Sequence, residues 1–202
     1  MNKLHDVNLD GIGNINGGNY RNIKITGVGT ILNDVTCESI ILDGVSKATG
    51  NINCRDAAIE GTFNCKGSIE ANDVIKINGY SKIDKNIQGR EVNIDGKLEV
   101  KGLLSGDKIN ILFLGRNKIK EIGGEEIIIL QEKKSLVTGF IVPNKLISDS
   151  IEGDIIILEN TDCNIVRGKK VTIKGVCKIG KIEYEEEIHI DEKSNVESIV
   201  KI

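Results

Sequence analysis

Side chains that could support catalysis are few in this chain of 202 residues. Two histidines occur, His5 near the N-terminus and His189 between two isoleucines. Strand alternation turns His189 outward, away from its apolar neighbours. The acidic runs at 125–126 and 185–187 could supply the paired carboxylates of a glycosidase or the oxygen ligands of calcium. No basic or aromatic column accompanies them, so the sequence predicts no catalytic residue, cofactor site or metal site.

Five cysteines are the remaining nucleophilic side chains. An odd number without a signal sequence favours reduced thiols, and none has the CxxC or CxH spacing of a metal site. Cys37 and Cys54 lie 17 residues apart, at the step of the repeat described below. That places them within reach of a disulfide, but side chains that point the same way pack better than they bridge. We predict five buried structural thiols.

A glycine-rich segment at residues 11–17, GIGNING, resembles a nucleotide-binding loop. It has one residue too many, it lacks a strand–helix context, and no Lys-Ser/Thr pair follows it. The segment is therefore predicted to be a corner of the repeat.

The apolar residues that must position any functional group follow a repeat of about 17 residues. The repeated phrase has two apolar residues two positions apart, followed two positions later by glycine. Its six copies are Ile23-x-Ile25-x-Gly27, Ile40-x-Leu42-x-Gly44, Ala57-x-Ile59-x-Gly61, Ile75-x-Ile77-x-Gly79, Val92-x-Ile94-x-Gly96 and Ile111-x-Phe113-x-Gly115. A period this short fits one coil of a β-solenoid.

Further columns keep the same step. Apolar residues recur four and eight positions after each glycine, and small residues recur ten positions after it. These inward positions divide a coil into about three short strands, and no stretch has a helical period. The hexapeptide sub-period of left-handed acyltransferase helices is absent. The sequence predicts an all-β fold, a single-stranded β-helix (β-solenoid) with three-sided coils, and the pattern alone fits either hand.

The repeat is interrupted after residue 131, where polar Gln131 takes the glycine position. Residues 132–150 contain the only proline and an apolar run that no coil position explains. We predict N-terminal coils over 1–131, an inserted loop over 132–150, and C-terminal coils over 151–202 that continue the same solenoid. The loop residues predicted to contact a protein partner are Leu136, Val137, Phe140 and Ile141.

Composition excludes several functional classes. A net charge of −3 with interspersed signs predicts a solvated surface and no nucleic-acid partner. Aromatic residues make up 3% and tryptophan is absent, which argues against base-stacking surfaces and carbohydrate clefts. The sequence shows neither a signal core nor an apolar run that could cross a bilayer. We expect a cytoplasmic protein, and a peripheral contact with the inner face of the membrane stays open.

The two ends of the predicted solenoid are the strongest candidates for contacts between molecules. The first and last coils of a solenoid expose unpaired backbone edges, which monomeric solenoids usually cover with a cap. Neither end of this sequence has the pattern of a cap, and uncovered ends favour repeated stacking into filaments. The predicted polymer contacts are Val7, Leu9, Val196 and Ile199.

The short coils with Ile-x-Ile-x-Gly phrases resemble the bactofilins, the polymer-forming cytoskeletal proteins of bacteria. Residues 151–161 (IEGDIIILENT), 166–171 (VRGKKV) and 177–184 (CKIGKIEY) resemble a Firmicute-type branch. The resemblance covers nearly the whole chain. It implies a right-handed β-helix that assembles end to end into non-polar filaments without nucleotide. Bactofilins commonly carry proline-rich tails and often a membrane-targeting segment, which this sequence does not show.

These observations favour a non-enzymatic structural scaffold that self-assembles into filaments or oligomers without a cofactor. Two alternatives stay open. A β-helical enzyme acting on an acyl or carbohydrate substrate would need a groove lined by polar residues from at least three adjacent coils, with a carboxylate pair or a histidine. A monomeric adaptor would bind an unidentified protein through the 132–150 loop.

Overall fold

The chain folds into an all-strand solenoid of about 11 coils, which confirms the predicted all-β class. A computed structural model describes residues 4–132 and 144–202. Its strands are β1 (Val7–Asn19), β2 (Asn22–Ala48), β3 (Ile52–Cys65), β4 (Ile69–Ile83), β5 (Ile87–Phe113), β6 (Arg116–Gln131), β7 (Lys145–Glu159), β8 (Thr161–Lys174), β9 (Lys178–Ile190) and β10 (Asn195–Lys201). They form one parallel sheet in chain order. No helix in the described residues has the length and apolar character needed to cross a membrane.

The core is built from three inward-facing pairs of side chains per coil. One coil contributes Ile75 with Ile77, Ser81 with Ile83, and Ile87 with Gly89. Parallel pairing in register places each of these positions above its counterpart in the next coil, as Ile59, Ile77 and Ile94 illustrate. Six columns of side chains therefore run along the axis and bury a continuous, mainly aliphatic core.

Corner glycines are required by both conformation and space. Gly61 has φ +95°, in the region that side chains rarely adopt. A Cβ at this position would also clash with the carbonyl oxygen of Gly44 on the preceding coil. The corner in front of each phrase is equally crowded, since a Cβ at Gly124 would clash with the carbonyl oxygen of Gly106.

One of the six columns does not follow the apolar pattern. It lies two positions after the corner glycine and faces inward. The internal repeat of the sequence did not predict this column, because its apolar positions lie before the glycine and four and eight positions after it. The members of this column differ widely in size and polarity: Ser46, Phe63, Ser81, Leu98, Asn117, Leu146, Thr161 and Cys177. Hydrophobic periodicity cannot reveal a column in which serine, asparagine and phenylalanine alternate.

The sixth predicted copy of the repeated phrase, Ile111-x-Phe113-x-Gly115, is wrong by two residues. Ile111 pairs with Ile129 and Phe113 pairs with Gln131, so Ile109-x-Ile111-x-Phe113 is the phrase that continues the columns. The corner after Phe113 is correspondingly longer and is filled by buried Asn117. The Asn117 Oδ1 accepts a hydrogen bond from the Leu98 amide at 2.5 Å, and its Nδ2 donates to the carbonyl oxygen of Leu114 at 3.2 Å.

The interruption is shorter than the predicted 132–150 loop. Strand β7 begins at Lys145 and pairs with β6 from Arg116 onward, so residues 145–150 belong to a regular coil. The coils on both sides form one continuous parallel sheet. The regular coil pattern is thus described up to the end of β6 at Gln131 and again from the start of β7 at Lys145.

Candidate functional site

The C-terminal end face exposes the last member of several core columns. Ile182 is fully buried, whereas Ile199, its partner on the following coil, is 49% exposed. Val196 is half-buried in the same coil and pairs with buried Ile179. Within the described residues, these inward positions are covered by the preceding coil. The structure places the two predicted contacts, Val196 and Ile199, together on this face.

Two further residues of this face were missed by the sequence analysis. Ile188 and Ile190 are half-buried and pair with the buried residues Val171 and Ile173. The signal was present, because these residues form the last Ile-x-Ile phrase of the chain. The histidine between them, His189, points outward as predicted, with Nε2 3.5 Å from the Glu187 carboxylate.

The N-terminal end face has the same construction. Val7 pairs with Ile23 and Leu9 pairs with Ile25; the β1 residues are half-buried, whereas their β2 partners are buried. The predicted contacts Val7 and Leu9 therefore lie together, at the opposite end of the solenoid from Val196 and Ile199.

An ion pair between Asp6, just before β1, and Arg21, just before β2, joins the first two coils. The Arg21 Nε donates to Asp6 Oδ1 at 2.8 Å, and Nη2 lies 2.5 Å from Oδ2. The guanidinium lowers the pKa of Asp6 to about 2, so the carboxylate is charged at neutral pH. Nearby, the rings of His5 and Tyr20 meet edge to face at 5.3 Å.

The predicted partner contacts Leu136, Val137, Phe140 and Ile141 lie outside the described residues. Near the end of β6, apolar and polar residues in equal number line a depression on the solenoid surface. Leu112, Ile128 and Leu130 line this depression of about 380 Å³ on the outer face of neighbouring coils. Ile157 continues this patch, because it pairs with Ile128 on the next coil.

A long groove follows the column of small residues, which runs through Gly106, Gly124, Gly153 and Gly168. One depression of about 530 Å³ in this groove is lined by charged residues from four coils. They are Glu121, Glu152, Asp154, Arg167, Lys169 and Glu185. The groove thus has the polar columns that the enzyme alternative requires.

Two carboxylates of this groove, those of Asp154 and Glu152, are held in ion pairs. Asp154 lies 2.7 Å from Lys169 Nζ, and Glu152 lies 3.8 Å from Arg167. Neighbouring Glu183 has a lowered pKa because of Lys181 and Arg167, which keeps its carboxylate ionised. A general acid needs a pKa raised toward neutrality, and these cations act in the opposite direction for Glu183.

All five cysteines are buried free thiols, as predicted. The histidine and acidic residues of the described ranges assemble with them into no group of three or more that could hold a metal ion. Burial raises the pKa of Cys37 and Cys65 to about 11 and of Cys54 and Cys163 to about 12, so these thiols are protonated at neutral pH.

Two proteins of Bacillus subtilis (strain 168) are similar to parts of the chain. The uncharacterized protein YhbF is 39% identical over 84 residues, which are 42% of this chain and 34% of YhbF. The uncharacterized protein YhbE is 33% identical over 102 residues, which are 50% of this chain and 43% of YhbE. The match therefore covers less than half the length of each relative. No protein-family model matches the chain, and no solved structure matches it.

Proposed function

We propose that this protein is a non-enzymatic structural scaffold that self-assembles end to end, as its resemblance to the bactofilins implies. The observation that carries the proposal is the exposure of core columns at both end faces. Ile199 is 49% exposed, although every other member of its column from Val35 to Ile182 is buried.

Contact with another copy would pair the free backbone groups of an end face and cover its exposed aliphatic side chains. The outer edge of an end strand has free backbone N–H and C=O groups, which pair with a strand placed about 4.8 Å away. The half-exposed aliphatic side chains would be covered at the same time, each contributing on the order of 1 kcal/mol.

Electron microscopy and sedimentation of the purified protein test this proposal. We expect elongated polymers that form without nucleotide, and a strictly monomeric protein at tens of micromolar concentration would refute self-assembly. Ile199→Lys and Leu9→Lys should each depolymerise the filaments without unfolding the solenoid. The matched control is Ile155→Lys, since Ile155 is 44% exposed on the side of the body and lies beside Lys170 in register.

If Ile155→Lys depolymerises the protein as strongly as Ile199→Lys, the side of the solenoid is the contact and the end-face proposal fails. If neither end variant changes the polymers, these coils are not the contacts. The proposal includes a cytoplasmic location, where five reduced thiols are stable.

A second candidate function is an adaptor that binds a protein partner beside the 132–150 interruption. It is supported by the patch of Leu112, Ile128, Leu130 and Ile157, because neighbouring apolar side chains on an outer face are a common feature of protein-binding surfaces. Deleting residues 136–142 and, separately, substituting Ile128→Lys would abolish partner binding. An adaptor would lose partner binding through these changes and would form no filaments either before or after them.

A further inference from the structure

The five buried thiols differ in how their sulfur atoms are held. Cys65 Sγ donates to the carbonyl oxygen of Gly50 at 3.5 Å, and Cys163 and Cys177 likewise contact backbone carbonyls at 3.1 and 3.3 Å. Within residues 4–132 and 144–202, no hydrogen bond holds the sulfur of Cys37 or Cys54. These two thiols are available to a ligand at little cost in existing interactions.

Cys37 and Cys54 lie side by side on neighbouring coils, in the inward-facing column that continues through Ala71 and Gly89. They are direct partners in the parallel pairing of β2 with β3, so their side chains project from the same column. They are 7% and 5% exposed and line a surface depression of about 280 Å³. Glu38, Arg55 and Glu70 lie on the rim of this depression, so two acidic groups outnumber one basic group there.

The spacing of the coils decides what these thiols can bind. Adjacent strands lie about 4.8 Å apart, so two cysteines in register that share one side-chain rotamer hold their sulfurs at about this separation. A sulfur–metal bond is about 2.3 Å, so a cation held linearly between two thiolates separates the sulfurs by about 4.6 Å. The spacing of the coils lies within the range of about 4.4–6.8 Å between Cα atoms that a disulfide allows, but a disulfide requires the two sulfurs to turn toward each other until they are about 2.05 Å apart. A bridging cation leaves the two side chains parallel, as the pairing of Cys37 with Cys54 places them.

We propose that Cys37 and Cys54 form a two-thiolate binding site for a soft, two-coordinate cation of the Cu(I) type. Thiolates select Cu(I), and the absence of further ligands in the described part of the chain disfavours zinc, which takes four. On binding, two S–H bonds break, two S–Cu bonds form and two protons pass to solvent, without a change of oxidation state. This inference is independent of filament formation.

The column itself supplies a conservative test substitution. Cys54 pairs with Ala71 on the next coil, and Ala71 pairs with Gly89, so the column already accepts alanine and glycine. Cys37→Ala and Cys54→Ala should therefore fold, which circular dichroism and urea unfolding would verify. Cys65→Ala is the matched control, because it removes a buried thiol of a different column.

The experiment is an anaerobic competition for Cu(I) between the full-length reduced protein and a colorimetric chelator. We expect the wild type to take one ion per chain and to release two protons per ion in a weakly buffered solution. Cys37→Ala and Cys54→Ala should each weaken binding by about 100-fold, and Cys65→Ala should bind like the wild type. Equal affinity in the wild type and in both Cys37→Ala and Cys54→Ala, or an equal loss in Cys65→Ala, would overturn the site.

Discussion

Phe63 lies between two serines in its column, Ser46 on the preceding coil and Ser81 on the following one. Phe63 has the largest side chain of this column, and a small residue packs on each side of its ring. Both serine hydroxyls are buried, and neither has a hydrogen-bond partner. The small residues beside Phe63 thus carry two buried hydroxyl groups that form no hydrogen bond.

Replacing either serine by alanine should stabilise the protein. Ser46→Ala and Ser81→Ala keep the volume small and remove a buried hydroxyl without a partner, so we expect the free energy of unfolding to rise by about 1 kcal/mol. Urea unfolding followed by circular dichroism measures the change.

Ser148→Ala is the control for these two variants. The Ser148 hydroxyl is equally buried, but it contacts the carbonyl oxygens of Lys120 at 3.2 Å and Ser150 at 3.1 Å. Its removal should lower the free energy of unfolding by about 1 kcal/mol. A loss of the same size in Ser46→Ala would show that its hydroxyl does have a partner.

At the scale of the coil, the sequence predicts most of the fold because backbone pairing in register keeps apolar residues together in most of the columns. The Ile-x-Ile phrases could therefore be followed back to Val7 and Leu9, and the apolar columns of Ile179 and Ile182 could be followed to Val196 and Ile199. The register after Val92 could not be predicted from the sequence. Both Ile109-x-Ile111-x-Phe113 and Ile111-x-Phe113-x-Gly115 satisfy the same apolar pattern. Only the longer corner held by Asn117 distinguishes them. The charged groove depends on pairing between coils, which the pattern of a single coil does not contain.

Two adjacent glycines at one corner should respond differently to alanine. A Cβ at Gly124 clashes with the carbonyl oxygen of Gly106, whereas a Cβ at Gly123 meets nothing closer than 3.9 Å. We expect Gly124→Ala to lower the free energy of unfolding by about 2 kcal/mol and Gly123→Ala to change it by less than about 0.5 kcal/mol. Urea unfolding of the two variants checks this, and equal effects would contradict the crowding of the column.

Ion pairs between coils should give the solenoid a pH dependence at its corners. Asp84 lies between Lys101 Nζ at 2.8 Å and Lys66 Nζ at 2.9 Å, and these lysines lower its pKa to about 2. A carboxyl with a lowered folded-state pKa stabilises the fold above its ordinary pKa of 3.8. That contribution is lost as the pH falls through about 2.

Lys101→Met and Lys66→Met should therefore raise the pKa of Asp84, with the larger effect for Lys101. Carbon-detected NMR titration of the carboxyl group measures the pKa. The double variant should lose less stability than the wild type between about pH 4 and pH 2. Lys97→Met is the control, because Lys97 lies 3.7 Å from Glu99 and does not pair with Asp84. An unchanged pKa in the double variant would contradict this assignment.

In the whole molecule, contacts between strands run almost entirely between neighbours in the chain. Such a stack behaves as a linear array in which each coil is stabilised by the coil on either side. A terminal coil has a neighbour on one side only. We therefore expect β10 to open more readily than the central strands, and end-to-end assembly would remove this difference.

Hydrogen–deuterium exchange at several protein concentrations tests this link between fold and assembly. At low concentration the amides of β10 should exchange faster than those of β4. As the concentration rises, protection of β10 should increase while that of β4 stays constant, because an end contact adds a neighbour to the terminal coil alone. Ile199→Lys should abolish the dependence on concentration, whereas Ile155→Lys should preserve it. Protection that rises along the side of the solenoid, with β10 unchanged, would instead indicate lateral association.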